Sequence, residues 1–236
     1  DVYKRQGADI VIAYARQGAK VGFTGRNAEA AAKVVEAASA LGPTPLFLQS
    51  DAADVAALKS AIATTAERFG DIGVLVNNVA NDQRHNLADV TQEDFDWRVA
   101  INLRPAFFAA QSVVEGMKRL GGGAIVNLGS ISWMIKGAGY PVYATCKSAT
   151  VGLSRSLARD LGKLNIRVNT LSPGWIMTEK QLTMWVDEAG EKAMDENQCL
   201  PGRIVGSDVA NMALFLSADD SRMVTAQDFV VDAGWT

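Results

Sequence analysis

Cysteine is nearly absent from this chain of 236 residues, which holds only Cys146 and Cys199. Two thiols cannot build a disulfide framework, and such sparing use fits a reducing compartment, so a cytoplasmic location is expected. Histidine is scarcer still: His85 stands alone, without a cluster of ligand residues, which argues against a metal centre. Positive charge is not in excess, because 23 basic against 26 acidic residues leave a net charge of −3. A phosphate backbone therefore finds no electropositive face, and no nucleic-acid partner is expected. No apolar run approaches the roughly 20 residues needed to cross a bilayer, so no membrane partner is expected. The opening DVYKRQ lacks the apolar segment of a secretory signal. Low-complexity segments, long linkers and internal repeats are also missing.

What remains is core-forming material. Hydrophobic residues make up 48% of the chain, charged residues 21%, and the mean hydropathy is +0.05. That composition belongs to a soluble globular protein. Helical periods alternate with short apolar strands. Ala8–Gln17, Ala28–Leu41 and Val55–Phe69 read as helices, and Lys20–Thr24, Pro45–Gln49 and Ile72–Val76 as the strands among them. Glu93–Leu120 reads as one long helix containing Pro105, followed by a strand at Ala124–Leu128. Val142–Leu164 is a helix and Ile166–Leu171 a strand. A long irregular stretch then leads to a helix at Asp208–Leu216 and a last strand at Asp228–Val231. Strands apolar on both faces and separated by helices imply βαβ units. The expected fold is α/β, a single doubly wound parallel sheet with helices on both faces, and ligands at the carboxyl ends of its strands.

The chemistry does gather behind strands. Tyr143 and Lys147 are spaced by four near the start of a helix, which sets phenol and ammonium on one face. A tyrosine acting as a base near neutrality needs its pKa lowered by roughly 3 units, about 4 kcal/mol, and a neighbouring cation is a direct means. Taken alone, such a pair is more often an interfacial tyrosine and a solvated lysine. Its context is richer. Ser130 follows the strand AIVNLG, Asn77-Asn78 ends the strand before it, and Asn102 stands inside an apolar helix. After RVNTL comes Ser172-Pro173-Gly174-Trp175-Ile176-Met177-Thr178, a turn whose backbone can approach a flat ring.

In this order, N-N-x-x, Asn102, Ser130, Y-x-x-x-K and P-G-x-x-x-T resemble the short-chain dehydrogenase/reductase family, and the resemblance runs from Gly7 to the end. It implies that Tyr143 transfers the proton and that Lys147 tunes it and binds the nicotinamide ribose. It further implies that Ser130 holds the reacting oxygen and Asn102 the water of a proton relay. Asn78 would line the coenzyme cleft, Asp51 would contact adenine, and Pro173, Gly174, Ile176 and Thr178 would hold the nicotinamide end. The chain departs from the family at Val79-Ala80, usually Ala-Gly, and at Cys146, usually Ser; neither removes a catalytic group. Coenzyme choice is read at Gly25-Arg26. The acid that NAD-preferring relatives carry at Gly25 is missing and a guanidinium follows, so NADP is expected, with NAD as the second option.

The front of the chain lacks the strand and glycine-rich turn of a dinucleotide site. Gly7 aligns with the last glycine of the family's T-G-x-x-x-G-x-G, and DVYKRQ looks like translated sequencing-adapter sequence. Asp1–Gln6 is therefore expected to be a non-native leader ahead of a single domain at residues 7–236, with the first strand missing.

The segments Asn81-Asp82-Gln83-Arg84-His85, Gly129–Trp133 and Gln198-Cys199-Leu200 resemble those of bacterial aldose 1-dehydrogenases. The resemblance implies oxidation of an aldose at its anomeric carbon to an aldonolactone. Asp82, Arg84, His85, Ser130 and Gln198 would read sugar hydroxyls while Trp133 stacks on the ring. A 3-oxoacyl or generic ketone reductase is the alternative within the family, and an inactive oligomer component is the alternative outside it. A homotetramer or homodimer is implied, packed through Glu93–Leu120 and Val142–Leu164.

Overall fold

The computed structural model describes residues 6–236, Lys180 by its backbone alone. Asp1–Arg5 of the expected leader thus lie outside the described residues, while Gln6 opens the first helix. In chain order the elements are α1 (Gln6–Arg16), β1 (Gly22–Gly25), α2 (Ala28–Ser39), β2 (Leu46–Gln49), α3 (Val55–Phe69) and β3 (Val74–Asn77). They continue with α4 (Gln92–Asn102), α5 (Arg104–Arg119), β4 (Gly123–Leu128), α6 (Pro141–Leu161) and β5 (Ile166–Pro173). The chain ends with α7 (Glu179–Met184), α8 (Glu188–Asn197), α9 (Gly206–Ser217) and β6 (Asp228–Val231).

Local chemistry explains many of these boundaries. Asn27 caps α2 by accepting from Ala30 N, Asp54 caps α3, and Thr91 caps α4, each meeting an N–H that the first helical turn leaves free. Gly70 ends α3 at φ 91°, a left-handed angle that suits glycine.

Every strand pair is parallel, as expected, and the α/β architecture with helices against the sheet is present. Among the described residues the strands form two sheets, ordered β1-β2 and β3-β4-β5-β6. No strand pairs with both β1 and β3 among the described residues, which leaves a gap between the two sheets. A cleft of about 1510 Å³ occupies it, lined from both sides by Val21–Gly25 and Val74–Asn77 and floored by α1. The main core lies beneath the larger sheet, where Val126, Leu171, Val209 and Leu216 are fully buried.

Two sequence expectations are corrected. Glu93–Leu120 is not one helix: the chain breaks at Leu103 (φ −129°, ψ −48°), leaving α4 and α5 on either side. Pro105 is the cause, since a proline has no N–H to give and its ring clashes with the carbonyl four residues back. It is tolerated as the second residue of α5. The stretch after β5 is not simply irregular either, because it carries α7 and α8, capped by Thr178 and Asp187. Other boundaries move by a few residues, as when β5 extends through Pro173.

Candidate active site

The carboxyl ends of β3 and β4 open onto the cleft, and of the predicted residues Asn78, Asn102 and Lys147 line it there. Asn77 at the end of β3 donates from Nδ2 to Asn127 Oδ1 at 2.8 Å, joining two strands through their side chains. Asn127 Nδ2 donates to Ser154 Oγ at 2.9 Å, and Thr170 Oγ1 donates to the same oxygen at 2.8 Å. Strands β3, β4, β5 and helix α6 are thereby tied by one buried polar network. Of the Asn77-Asn78 pair, Asn77 is the one that bridges adjacent strands. Asn78 points back to α1, where its Oδ1 accepts from Gln6 Nε2 at 3.0 Å. A Cβ at Gly7 would come within 2.8 Å of Asn78 Nδ2, so only glycine lets the helix lie this close.

Asn102 ends α4 rather than standing within a long helix. Its Oδ1 accepts from Asn81 N at 2.7 Å, and its Nδ2 donates to Asn81 O at 3.1 Å and Arg98 O at 3.0 Å. An amide suits that place, since it offers donor and acceptor to one backbone residue. It fixes the segment that follows β3, which also carries Asp82, Arg84 and His85.

Ser130 follows β4; its Oγ accepts from Ser132 N at 3.1 Å, and its hydroxyl acts on the Tyr143 phenol in the direction that favours the phenolate. Gly129 before it could carry no Cβ without striking Ser172 Oγ. Lys147 is 3% exposed; its Nζ lies 5.7 Å from the Tyr143 ring centroid and donates to Leu128 O at 2.6 Å. Burial lowers Lys147 from its ordinary 10.5 to about 8. The phenol behaves unlike the sequence expectation. Burial holds Tyr143 above the ordinary phenol range, opposed first by the Ser130 hydroxyl and more weakly by the Arg84 guanidinium, while Asp82 and Tyr140 push it further up. Desolvation of the ring outweighs the nearby cation, and Lys147 has itself lost affinity for its proton.

Of the residues expected at the coenzyme, Gly7, Gly25, Arg26, Asn78 and Lys147 line the cleft, whereas Pro173, Gly174, Ile176 and Thr178 do not. Gly25 and Arg26 close β1, and Arg26 Nη1 stands 4.0 Å from Asp51 Oδ2, both side chains exposed. A small pocket of about 90 Å³ beside them is lined by Thr24, Ser50, Asp51, Val79 and Trp97. Ser50 Oγ is buried there with no hydrogen-bond partner among the described residues. An unsatisfied hydroxyl, a guanidinium and a carboxylate at one pocket fit the adenosine half of a dinucleotide. Gly174 N donates to Val231 O at 2.9 Å, and a Cβ on it would meet Asp232 Cα at 2.8 Å. Ile176 bridges to Ile204, and Thr178 caps α7. The turn after β5 is thus held flat against the rim.

Asp82, Arg84, His85, Trp133 and Gln198, expected at the substrate, do not line the cleft. Asp82 Oδ2 accepts from Gln181 Nε2 at 2.7 Å, and Gln181 Oε1 accepts from Trp175 Nε1 at 2.9 Å. His85 sits between backbones: its Nε2 accepts from Val142 N at 3.3 Å, and its Nδ1 lies 3.1 Å from Gln83 O. Both nitrogens are engaged if Nδ1 carries the proton, which makes His85 a cap for the Tyr143 helix. Trp133 is 38% exposed beside Ser130, and the Gln198 amide is buried with neither atom partnered among the described residues. No group of three or more potential metal ligands occurs among the described residues.

Sequence reasoning missed Tyr140, Gln181 and Trp185, all near the mouth. For Gln181 a signal existed: Thr178-x-x-Gln181 is a capping-box spacing that marks a helix start.

The chain matches the family described as enoyl-(acyl carrier protein) reductase over residues 6–236. It is 42% identical over 229 residues to a Rhizobium meliloti protein named "Probable galactose dehydrogenase GalD", covering 97% of this chain and 90% of that one. It is 41% identical over 230 residues to D-xylose 1-dehydrogenase of Caulobacter vibrioides, with the same coverage. A blue fluorescent protein from a metagenomic library, solved with NADPH, superposes with a TM-score of 0.89 at 34% identity, covering 98% of this chain and 93% of that one. The chain belongs to the short-chain dehydrogenase/reductase family. It is an oxidoreductase of that family, whose members use NAD(P). Among the described residues, no helix is long and apolar enough to cross a membrane.

Proposed function

We propose that this short-chain dehydrogenase/reductase oxidises an aldose at its anomeric carbon, giving an aldonolactone. The observation that carries the reading is the buried Lys147, held on Leu128 O with its Nζ 5.7 Å from the Tyr143 ring centroid, one element away from Ser130 at the end of β4. Gly25, Arg26, Asn78 and Lys147 would hold a nicotinamide coenzyme, which when bound would supply the hydride acceptor. Tyr143 takes the proton of the C1 hydroxyl, and Ser130 donates to the same oxygen as it becomes a carbonyl. Lys147, anchored on Leu128 O, faces the ring and is the ribose ligand. Asn102 holds the loop that walls the site, where a relay water would sit.

The polar wall favours a polyol. Asp82, Gln181 and the unpartnered Gln198 amide offer acceptors and donors to neighbouring hydroxyls, while Trp133 gives an apolar face. Arg84 and His85 frame the same wall. A 3-oxoacyl or ketone reductase is the second reading, favoured by the family description, and would call for a longer apolar pocket.

Turnover of a panel of pentoses and hexoses against aliphatic ketones and acyl thioesters, with each coenzyme, separates the two. Because burial raises Tyr143, phenolate grows as pH rises, so sugar oxidation should climb from neutral into the alkaline range. Tyr143→Phe keeps the ring and should cut turnover by orders of magnitude with coenzyme affinity intact. Near-normal turnover in that variant would sink the mechanism.

Arg26 supports NADP as the coenzyme, with NAD as the second option. Arg26→Ala should weaken NADP about 10–100-fold, the worth of a charge-assisted contact, and leave NAD nearly unchanged. Equal losses would make Arg26 a mere surface residue. A homotetramer is supported by the exposed Phe95, Trp97 and Phe107 on α4 and α5, and a reducing cytoplasm by the free thiols of Cys146 and Cys199.

A further inference from the structure

Arg84 lies on the segment after β3, but its guanidinium is already engaged. The guanidinium carbon stands 4.1 Å from the Tyr140 ring centroid and 5.1 Å from that of Trp185. Its Nη1 also reaches Ala138 O at 3.4 Å. A planar, delocalised cation stacks well on aromatic faces, and here it meets two from distant parts of the chain. Tyr140 is the residue before α6, and its ring meets that of Tyr143 edge-on at 5.9 Å and 90°. Trp185 closes α7.

The two indoles of this region differ in one respect. Trp175 Nε1 has found Gln181 Oε1. Trp185 Nε1 is buried and has no acceptor among the described residues. A buried N–H without an acceptor is a loss that a bound ligand can make good. Its ring is held by Arg84, which rests on Tyr140, which touches the Tyr143 ring.

We infer that Arg84 is a positioning residue: stacked between Tyr140 and Trp185, it ties α7 to the start of the Tyr143 helix and presents the Trp185 indole N–H as donor to a substrate hydroxyl. The inference rests on the polyol reading above and deepens it. Trp185 then becomes a specificity residue, and Arg84 acts through it.

Two arms test this on the full chain. In the kinetic arm, Trp185→Phe removes the N–H and keeps a ring for Arg84. Its kcat/KM for the best aldose should fall about 3–10-fold, the worth of one hydrogen bond. For the deoxy-sugar lacking the bonded hydroxyl it should not fall. Arg84→Gln should cost as much in the parent, cost little more in the Trp185→Phe background, and be partly rescued by Arg84→Lys. In the spectroscopic arm, the protein carries 5-fluorotryptophan and the Trp185 fluorine resonance is assigned by its loss in Trp185→Phe. That resonance should shift and broaden in Arg84→Gln and stay near the parent's in Arg84→Lys. Unchanged turnover of every sugar by Trp185→Phe overturns the donor role, and a parent-like resonance in Arg84→Gln overturns the clamp. Should the parent oxidise no aldose, the functional reading fails, and the resonance alone decides whether Arg84 holds Trp185.

Discussion

On the proposed reading, Lys147 serves the reaction at the expense of the fold. An ammonium buried among α6 and β4 is costly unless paired, and among the described residues it donates to a neutral carbonyl, Leu128 O. The fall from 10.5 to about 8 corresponds to about 3 kcal/mol of disfavoured charge. At pH 7 the lysine is protonated in both folded and unfolded chains, so the penalty is fully present. Between pH 8 and 10.5 the folded chain releases a proton that the unfolded chain still holds, and this group's contribution to stability rises with pH. Lys147→Met should therefore be inactive yet more stable than the parent at pH 7. Allowing for the lost hydrogen bond, the gain is about 2 kcal/mol, or roughly 4–8 °C in Tm for a chain of this size. The gap should close as the melts are repeated towards pH 10. A variant that melts below the parent at pH 7, with a gap indifferent to pH, would show that the lysine is not strained by its burial.

At the scale of elements, the buried chain Asn77–Asn127–Ser154–Thr170 holds β3, β4, β5 and α6 in one register. Each member is an acceptor or donor for the next, so truncating one leaves two groups orphaned in a dry interior. Asn127→Ala should cost about 2–4 kcal/mol in urea unfolding, combining a cavity with two broken hydrogen bonds. The coupling with Ser154→Ala should be strong, because both variants break the same link. A loss below ~0.5 kcal/mol would mean that the network is not structural. These elements were also the most legible in the sequence. Short apolar runs with a helix between them announce parallel strands, and Tyr143, Lys147 and Ser130 are tied to such runs by spacing. The α4–α5 break was harder to read, since the apolar period runs straight through Pro105 and only the proline's missing N–H marks it. The rim was hardest. Arg84, Tyr140, Gln181 and Trp185 come from three separate segments, and no pattern within one segment says that a guanidinium will meet an aromatic ring 56 or 101 positions away. His85 illustrates the same limit: its neighbours along the chain are polar, yet its ring serves the backbone of α6.

For the molecule as a whole, the cleft between β1 and β3 divides a strongly held half from a weakly held one. β4 is hydrogen-bonded on both sides, to β3 and β5, and β5 likewise to β4 and β6. Their residues from Val126 to Leu128 and from Val168 to Leu171 are almost wholly buried. β1 and β2 pair only with each other among the described residues, and every residue of β1 keeps some exposure. Local opening should therefore be cheapest around Gly22–Gly25 and dearest in β4 and β5. A dinucleotide lying in the cleft would touch both halves, Gly25 and Arg26 on one side and Asn78 and Lys147 on the other. Binding stabilises only the state in which the two halves stand together. At a coenzyme concentration 100 times Kd the gain is about 2.7 kcal/mol, close to a hundredfold slowing of exchange for amides that open with the cleft. Backbone hydrogen exchange followed by mass spectrometry reads this directly. Without coenzyme, peptides covering β1 and β2 should exchange well before those covering β4 and β5; with it, β1 and β3 should slow the most. Equal protection in both sheets beforehand, or protection by coenzyme confined to one side of the cleft, would show that the halves are not joined by the ligand.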